Sequence, residues 1–214
     1  IAENYIGQQS AQVRAWLLDT SVNTTGALDI SAGASQNIHA TVQSHATAIS
    51  AGAIAIGLSG AGASATNQIA NDIGAFIDGS MGIEAASITL TATDFSTIVS
   101  LTGTASLAVA LGGVSGPVAI GVGLAKNLIT STVSAHITDA RVTTTSGDIT
   151  VQATEHATIS ATAFAASAAA GVGLATISLS GAGAYAVNVI GTTTTAYVTG
   201  SELVGLIPLK AMLD

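Results

Sequence analysis

Apolar and polar side chains alternate along much of the chain. Over residues 149–162 one phase reads Ile149, Val151, Ala153, Glu155, Ala157, Ile159 and Ala161. The other reads Thr150, Gln152, Thr154, His156, Thr158, Ser160 and Thr162. Glu155 is the one break in that pattern. Ile38, Ala40 and Val42 alternate with His39, Thr41 and Gln43 in the same way. Successive strand side chains point to opposite faces, so a period of two predicts half-buried β-strands, and Thr, Val and Ile favour them. Ser146-Gly147-Asp148 and Thr24-Thr25-Gly26 supply turn signals just before equivalent strands. Residues 51–65, 103–125 and 165–187 are rich in Gly and Ala. Alanine favours helix, but each glycine costs a helix roughly 1 kcal/mol relative to alanine. We read these stretches as tightly packed strands with glycine turns. Small-residue helices packed inside or against the sheet are the alternative.

The pattern repeats. Asn4, Asn67, Asn127 and Asn188 each open an Asn-x-Ile tripeptide, and their positions step by 63, 60 and 61. Trp16, Phe76, His136 and Tyr197 each follow an alanine and step by 60, 60 and 61. Three extra residues between Asn4 and Ala15 account for the odd interval. Residues 56–63 return as 177–184, and Ile38, Ile98 and Ile159 keep the same register. Residues 1–202 therefore form one continuous array of about three and a half units. These are a partial unit at 1–27, units near 28–87 and 88–148, and an incomplete unit at 149–202. Residues 203–214 leave the pattern, with Ile207-Pro208 where a Ser-Gly turn is expected, and read as a cap or linker. Short strands in one unit cannot bury their apolar face alone, whereas stacked units can. The expected fold is an all-β repeat solenoid. Equivalent residues would lie about 4.8 Å apart if each unit forms one layer, although a unit of this length could also hold two or three.

Composition narrows the possibilities. The chain weighs 20.7 kDa over 214 residues, so small side chains dominate, and only 7% of residues are charged. Four basic residues against 12 acidic ones give a net charge of -8, which excludes a basic nucleic-acid surface. There is no cysteine, hence no disulfide framework or thiolate metal site. Low charge and a mean hydropathy of +0.63 argue against disorder. Residues 30–71, 95–125 and 156–201 contain no Asp, Glu, Lys or Arg. Such segments suit packing on both sides or against a neighbouring chain. The uncharged run at 95–125 is long enough for a membrane helix, but it is poor in Leu and Phe and lacks basic flanks. Seven aromatics are too few for the girdles of a membrane barrel. The chain opens at Ile1 with no signal-peptide pattern, which suggests a piece or processed form of something longer.

No constellation for chemistry stands out. His39 and His45 would share a strand face but lie about 20 Å apart at ~3.3 Å per residue, too far for one metal. His136 takes the slot held elsewhere by Trp16, Phe76 and Tyr197, which favours packing. Asp19 and Asp139 share a slot with Gly79 and Gly200, a turn position. Calcium repeats would need more acidic residues per turn. No catalytic residue, metal site or cofactor is expected, and no enzyme activity. The recurrent asparagines could form an inward amide ladder or occupy turns.

The run Val187-Asn188-Val189-Ile190 through Ala196-Tyr197-Val198, with Gly147-Asp148-Ile149-Thr150-Val151 one unit earlier, resembles tandem repeats of giant bacterial exoproteins. These include adhesin-like and fusobacterial leukotoxin-like repeat regions. The resemblance implies a secreted or surface-anchored, elongated array and carries over no catalytic residue. The expected role is a structural module of a bacterial fibre or adhesin. Its partner would be other copies of itself, end to end or side by side, with other surface polymers as further candidates and neither nucleic acid nor membrane. A membrane-active toxin segment is one alternative, and an ice- or carbohydrate-binding module another.

Overall fold

The computed structural model describes residues 1–205 and the backbone of residues 210–213. Those residues are all-β, without a helix. Alternation and β-branched residues suffice for this in the Thr-rich segments. In the Gly/Ala-rich segments, extended backbone lets each unit hydrogen-bond to the next, which no isolated helix there could do.

Every strand pairs in parallel with its equivalent one unit away. Ala2–Leu18 (β1) lies on Leu28–Asp78 (β3), which lies on Ile88–Thr138 (β5). The next layer on β5 consists of Ile149–Val172 (β7), Ala175–Thr176 (β8), Leu179–Ile190 (β9) and Thr193–Thr199 (β10). A second, narrow sheet stacks Ser21–Asn23 (β2), Gly82–Ala85 (β4), Arg141–Thr144 (β6) and Glu202–Val204 (β11). Leu28 pairs with Ile88 and Ile88 with Ile149, so the pairing register is the repeat interval itself. Each unit thus contributes one layer. The three-residue excess in the first interval sits between Ile6 and Ala11, where Gly7 and Ser10 have positive φ and the register shifts. Ile207 and Pro208 lie outside the described residues. Beyond them Lys210–Leu213 (β12) pairs with residues 150–153 of β7.

The 51 residues of β3 would reach about 170 Å in a straight line at ~3.3 Å each, but β3 does not run straight. Asn71 donates to Gln36 at 2.9 Å, Ile69 packs with Ile38, and Gly57 lies opposite Ser50. These pairs centre on residues 53–54, where the chain reverses. The outgoing half, 28–52, and the returning half, 54–78, therefore face each other as two walls. Even positions point between the walls in the first half and odd positions in the second. At the end away from the reversal, Ile83, Ala85 and Val142 of the narrow sheet pack into the same core as both walls. Ile30, Ile73, Ile77, Ile83, Leu90 and Val142 belong to the main core there. Toward the reversal the interior shrinks mainly to Ala, Gly, Ser and Thr, with Pro117 among them. Gly121 shows why: a Cβ on it would sit 2.9 Å from the Ala166 carbonyl oxygen.

Candidate functional site

The recurrent asparagines meet. Asn4 Nδ2 donates to Asn67 Oδ1 at 2.7 Å, Asn67 to Asn127 at 2.7 Å, and Asn127 to Asn188 at 2.8 Å. Asn67 and Asn127 hold odd positions on the returning wall, which turns them inward, and both are buried. A buried amide needs partners, and one side chain per layer at strand spacing supplies them. The ladder runs in one direction, so it presents a carbonyl at the Asn4 end and an NH2 at the Asn188 end.

Rings stack on the outside of the same wall. Trp16 and Phe76 lie 6.0 Å apart, while Phe76–His136 and His136–Tyr197 are each 4.9 Å apart and within 2° of parallel. Desolvation between its neighbours lowers the pKa of His136 below 6.5, with Asp78 opposing the shift. The imidazole is thereby held neutral and stacks as another aromatic ring. His156 stacks similarly on Phe95 at 5.2 Å, whereas His39 and His45 stand exposed on the outgoing wall.

A carboxylate pair lies between the walls. Asp94 is fully buried and accepts hydrogen bonds from Ser96 Oγ and Asn71 Nδ2 at 3.0–3.4 Å. Glu155 occupies the equivalent position one layer on. Desolvation raises its pKa, a hydrogen bond with Thr192 opposes this, and the Asp94 charge adds to it. Sequence reasoning did not assign this pair. Its signal was Glu155 itself, the acid standing in an otherwise inward apolar phase, one unit after Asp94. Two carboxylates fall short of a metal centre: among the described residues no group of three or more His, Cys, Asp or Glu could hold an ion.

Outer surfaces differ between the two ends of the walls. The end carrying the narrow sheet bears the ion pairs Arg14–Asp72 and Arg141–Glu202. The other end carries no Asp, Glu, Lys or Arg among the described residues, and its returning wall turns Ile54, Ile56, Leu58, Ile120, Ile177 and Leu179 outward, each more than half exposed. No protein-family model, curated protein or solved structure matches the chain. No helix among the described residues is long and apolar enough to cross a membrane.

Proposed function

We propose that the chain is a β-solenoid, a flattened two-walled stack serving as a structural repeat module of an elongated secreted or cell-surface bacterial fibre or adhesin. The observation that carries this reading is the parallel register kept at the repeat interval from unit to unit, reinforced inside by an amide ladder and outside by a ring stack. Both devices repeat by translation, so a further layer at either end finds a complementary surface. An acceptor waits at the Asn4 end and a donor at the Asn188 end. The same geometry serves a longer chain of repeats or separate copies stacked end to end. Placement outside a bacterial cell draws on the resemblance to giant exoprotein repeats. The wall features are those of a scaffold, and we assign no catalytic role.

Small-angle scattering of the dilute chain tests the architecture. About 25 residues from reversal to narrow sheet give walls about 80 Å long at ~3.3 Å per residue, in a slab about 20 Å thick from four layers. That shape has a radius of gyration of about 24 Å, against about 17 Å for a globular domain of this length. A value at the globular figure overturns the solenoid. Protease shaving of intact cells that make the protein tests its placement: release of the repeat is expected, and full protection would overturn it.

A further inference from the structure

The uncharged end of the returning wall carries a surface that this scaffold does not need for its own stability. Its outward positions form columns running from layer to layer. One column reads Ile56, Gly116, Ile177, and another reads Gly60, Ile120, Gly181. Between them runs Leu58, Val118, Leu179. The two flanking columns are complements of each other: wherever one has isoleucine, the other has glycine. None of these glycines has positive φ. A Cβ on Gly60 or Gly181 would meet nothing within 4 Å, and one on Gly116 would meet only the Ile177 carbonyl at 3.9 Å. Glycine weakens a strand by its backbone entropy and its missing contacts. Neither conformation nor internal packing explains its use here. The hollow bounded by Ile54, Ile56, Val114, Gly116, Ala175 and Ile177 has a volume of about 470 Å³.

We infer that this face docks against the same face of a second copy, related by a two-fold axis that runs along the stacking direction through Leu58, Val118 and Leu179. The inference rests on the solenoid reading and names the partner for its side. Rotation about that axis keeps each layer at its own level and reverses the strands. Ile56 then faces Gly60 of the second copy, Ile120 faces Gly116, and Ile177 faces Gly181. Each isoleucine of the flanking columns meets a vacant position, and Leu58, Val118 and Leu179 each meet their own counterpart across the axis, as an isologous interface requires. Charge allows the approach, since residues 30–71, 95–125 and 156–201 carry no ionised group. A lipid surface would accept the apolar side chains but gives no reason for the glycines between them. With their neighbours on the strand, residues 54–62 and the equivalent stretches cover about 430 Å² per copy over three layers at strand spacings, or about 860 Å² in all, below the size of standard specific interfaces. Pairing of this chain is therefore weak, and it strengthens with each layer added.

The test is sedimentation velocity of the full chain across a wide concentration range, with a short bismaleimide cross-link in Leu58→Cys, which gives an otherwise cysteine-free chain one thiol beside the axis. Wild type is expected to dimerise, and Leu58→Cys to cross-link as a dimer. Gly116→Val and Gly60→Val/Gly181→Val fill the hollows without touching the fold. They should keep the strand circular dichroism and weaken dimerisation at least tenfold, and Ile120→Lys should do the same. A chain that stays monomeric, or hollow-filling variants that dimerise like wild type, would overturn the pairing. So would binding to phosphatidylcholine vesicles, abolished by Ile120→Lys, without any dimer. If dilute scattering still gives the slab, only the pairing has failed. If it gives a globular particle, the solenoid has failed first.

Discussion

Asp19, Gly79, Asp139 and Gly200 occupy one turn position, all with φ between +47° and +61°. Asp and Gly alternate there because a Cβ on either glycine would overlap the carboxylate Oδ1 of the Asp one layer before it. The shared slot was legible from spacing alone, since Asp and Gly tolerate that backbone where most residues do not. Glu155 is a residue of the opposite kind, placed against its own preference. It points between the walls beside Asp94, and burial raises its pKa above the ordinary 4.5. A carboxyl whose folded pKa exceeds its unfolded one favours the folded state while protonated. That contribution is present below the unfolded pKa and is lost as pH rises through the folded pKa. Glu155→Gln mimics the protonated form at every pH. The variant should melt higher than wild type at pH 7–8, with the gap closing toward pH 4. Thermal melts at the two pH values check this, and an equal gap at both would show that the carboxylate's charge is not the cause.

At the scale of elements, the period of two established strands and the repeat interval established which strand lies on which. The reversal near residue 53 was much harder to read. Gly52, Gly112-Gly113 and Gly173 stand at it in successive layers, in keeping with the glycine turns expected in these segments, but other glycines and small residues continue through them and hide which one turns the chain. The reversal's trace is a change of parity, as inward positions pass from even to odd, which becomes visible only once facing pairs such as Gln36 and Asn71 are known. The outward apolar columns followed from that change and were hidden with it. The asparagine ladder was open to two readings for a related reason: whether Asn67 points inward depends on the parity of the returning wall. Its energetics can now be stated. Asn127→Ala leaves Asn67 Nδ2 buried without an acceptor and Asn188 Oδ1 without a donor. A buried unsatisfied group costs about 1–3 kcal/mol, so the variant should lose about 2–3 kcal/mol. Asn188→Ala also takes the acceptor from Asn127 Nδ2, but at the exposed end of the ladder, where water can replace it, so this variant should lose less, about 1 kcal/mol. Urea unfolding of both variants measures the difference, and equal losses would deny the ladder its burial-dependent role.

For the whole molecule, stability in a stack of equivalent layers is approximately a sum of each layer's own term and the contacts between neighbours. Removing one whole layer should then be tolerated far better than removing one residue. Deleting residues 88–148 brings Ile149 onto Leu28, Asn188 onto Asn67 and Tyr197 onto Phe76, because each of these lies on the same residue of the missing unit. Even the buried acid keeps a partner: Glu155 takes the place of Asp94 beside Asn71. The shortened chain is expected to retain strand circular dichroism and to unfold cooperatively at lower denaturant, since it has lost one interface between layers. Deleting Ala119 alone removes a single methyl group from the interior but shifts every following residue of the returning wall by one. Because the side-chain period is two, such a slip turns the whole inward set outward. Asn127, Ile129, Val133 and Ile137 would face solvent, and Lys126 would point between the walls. The single deletion should therefore abolish cooperative unfolding where deletion of the entire unit does not. The opposite ranking would mean that the core is shared across layers rather than built one unit at a time.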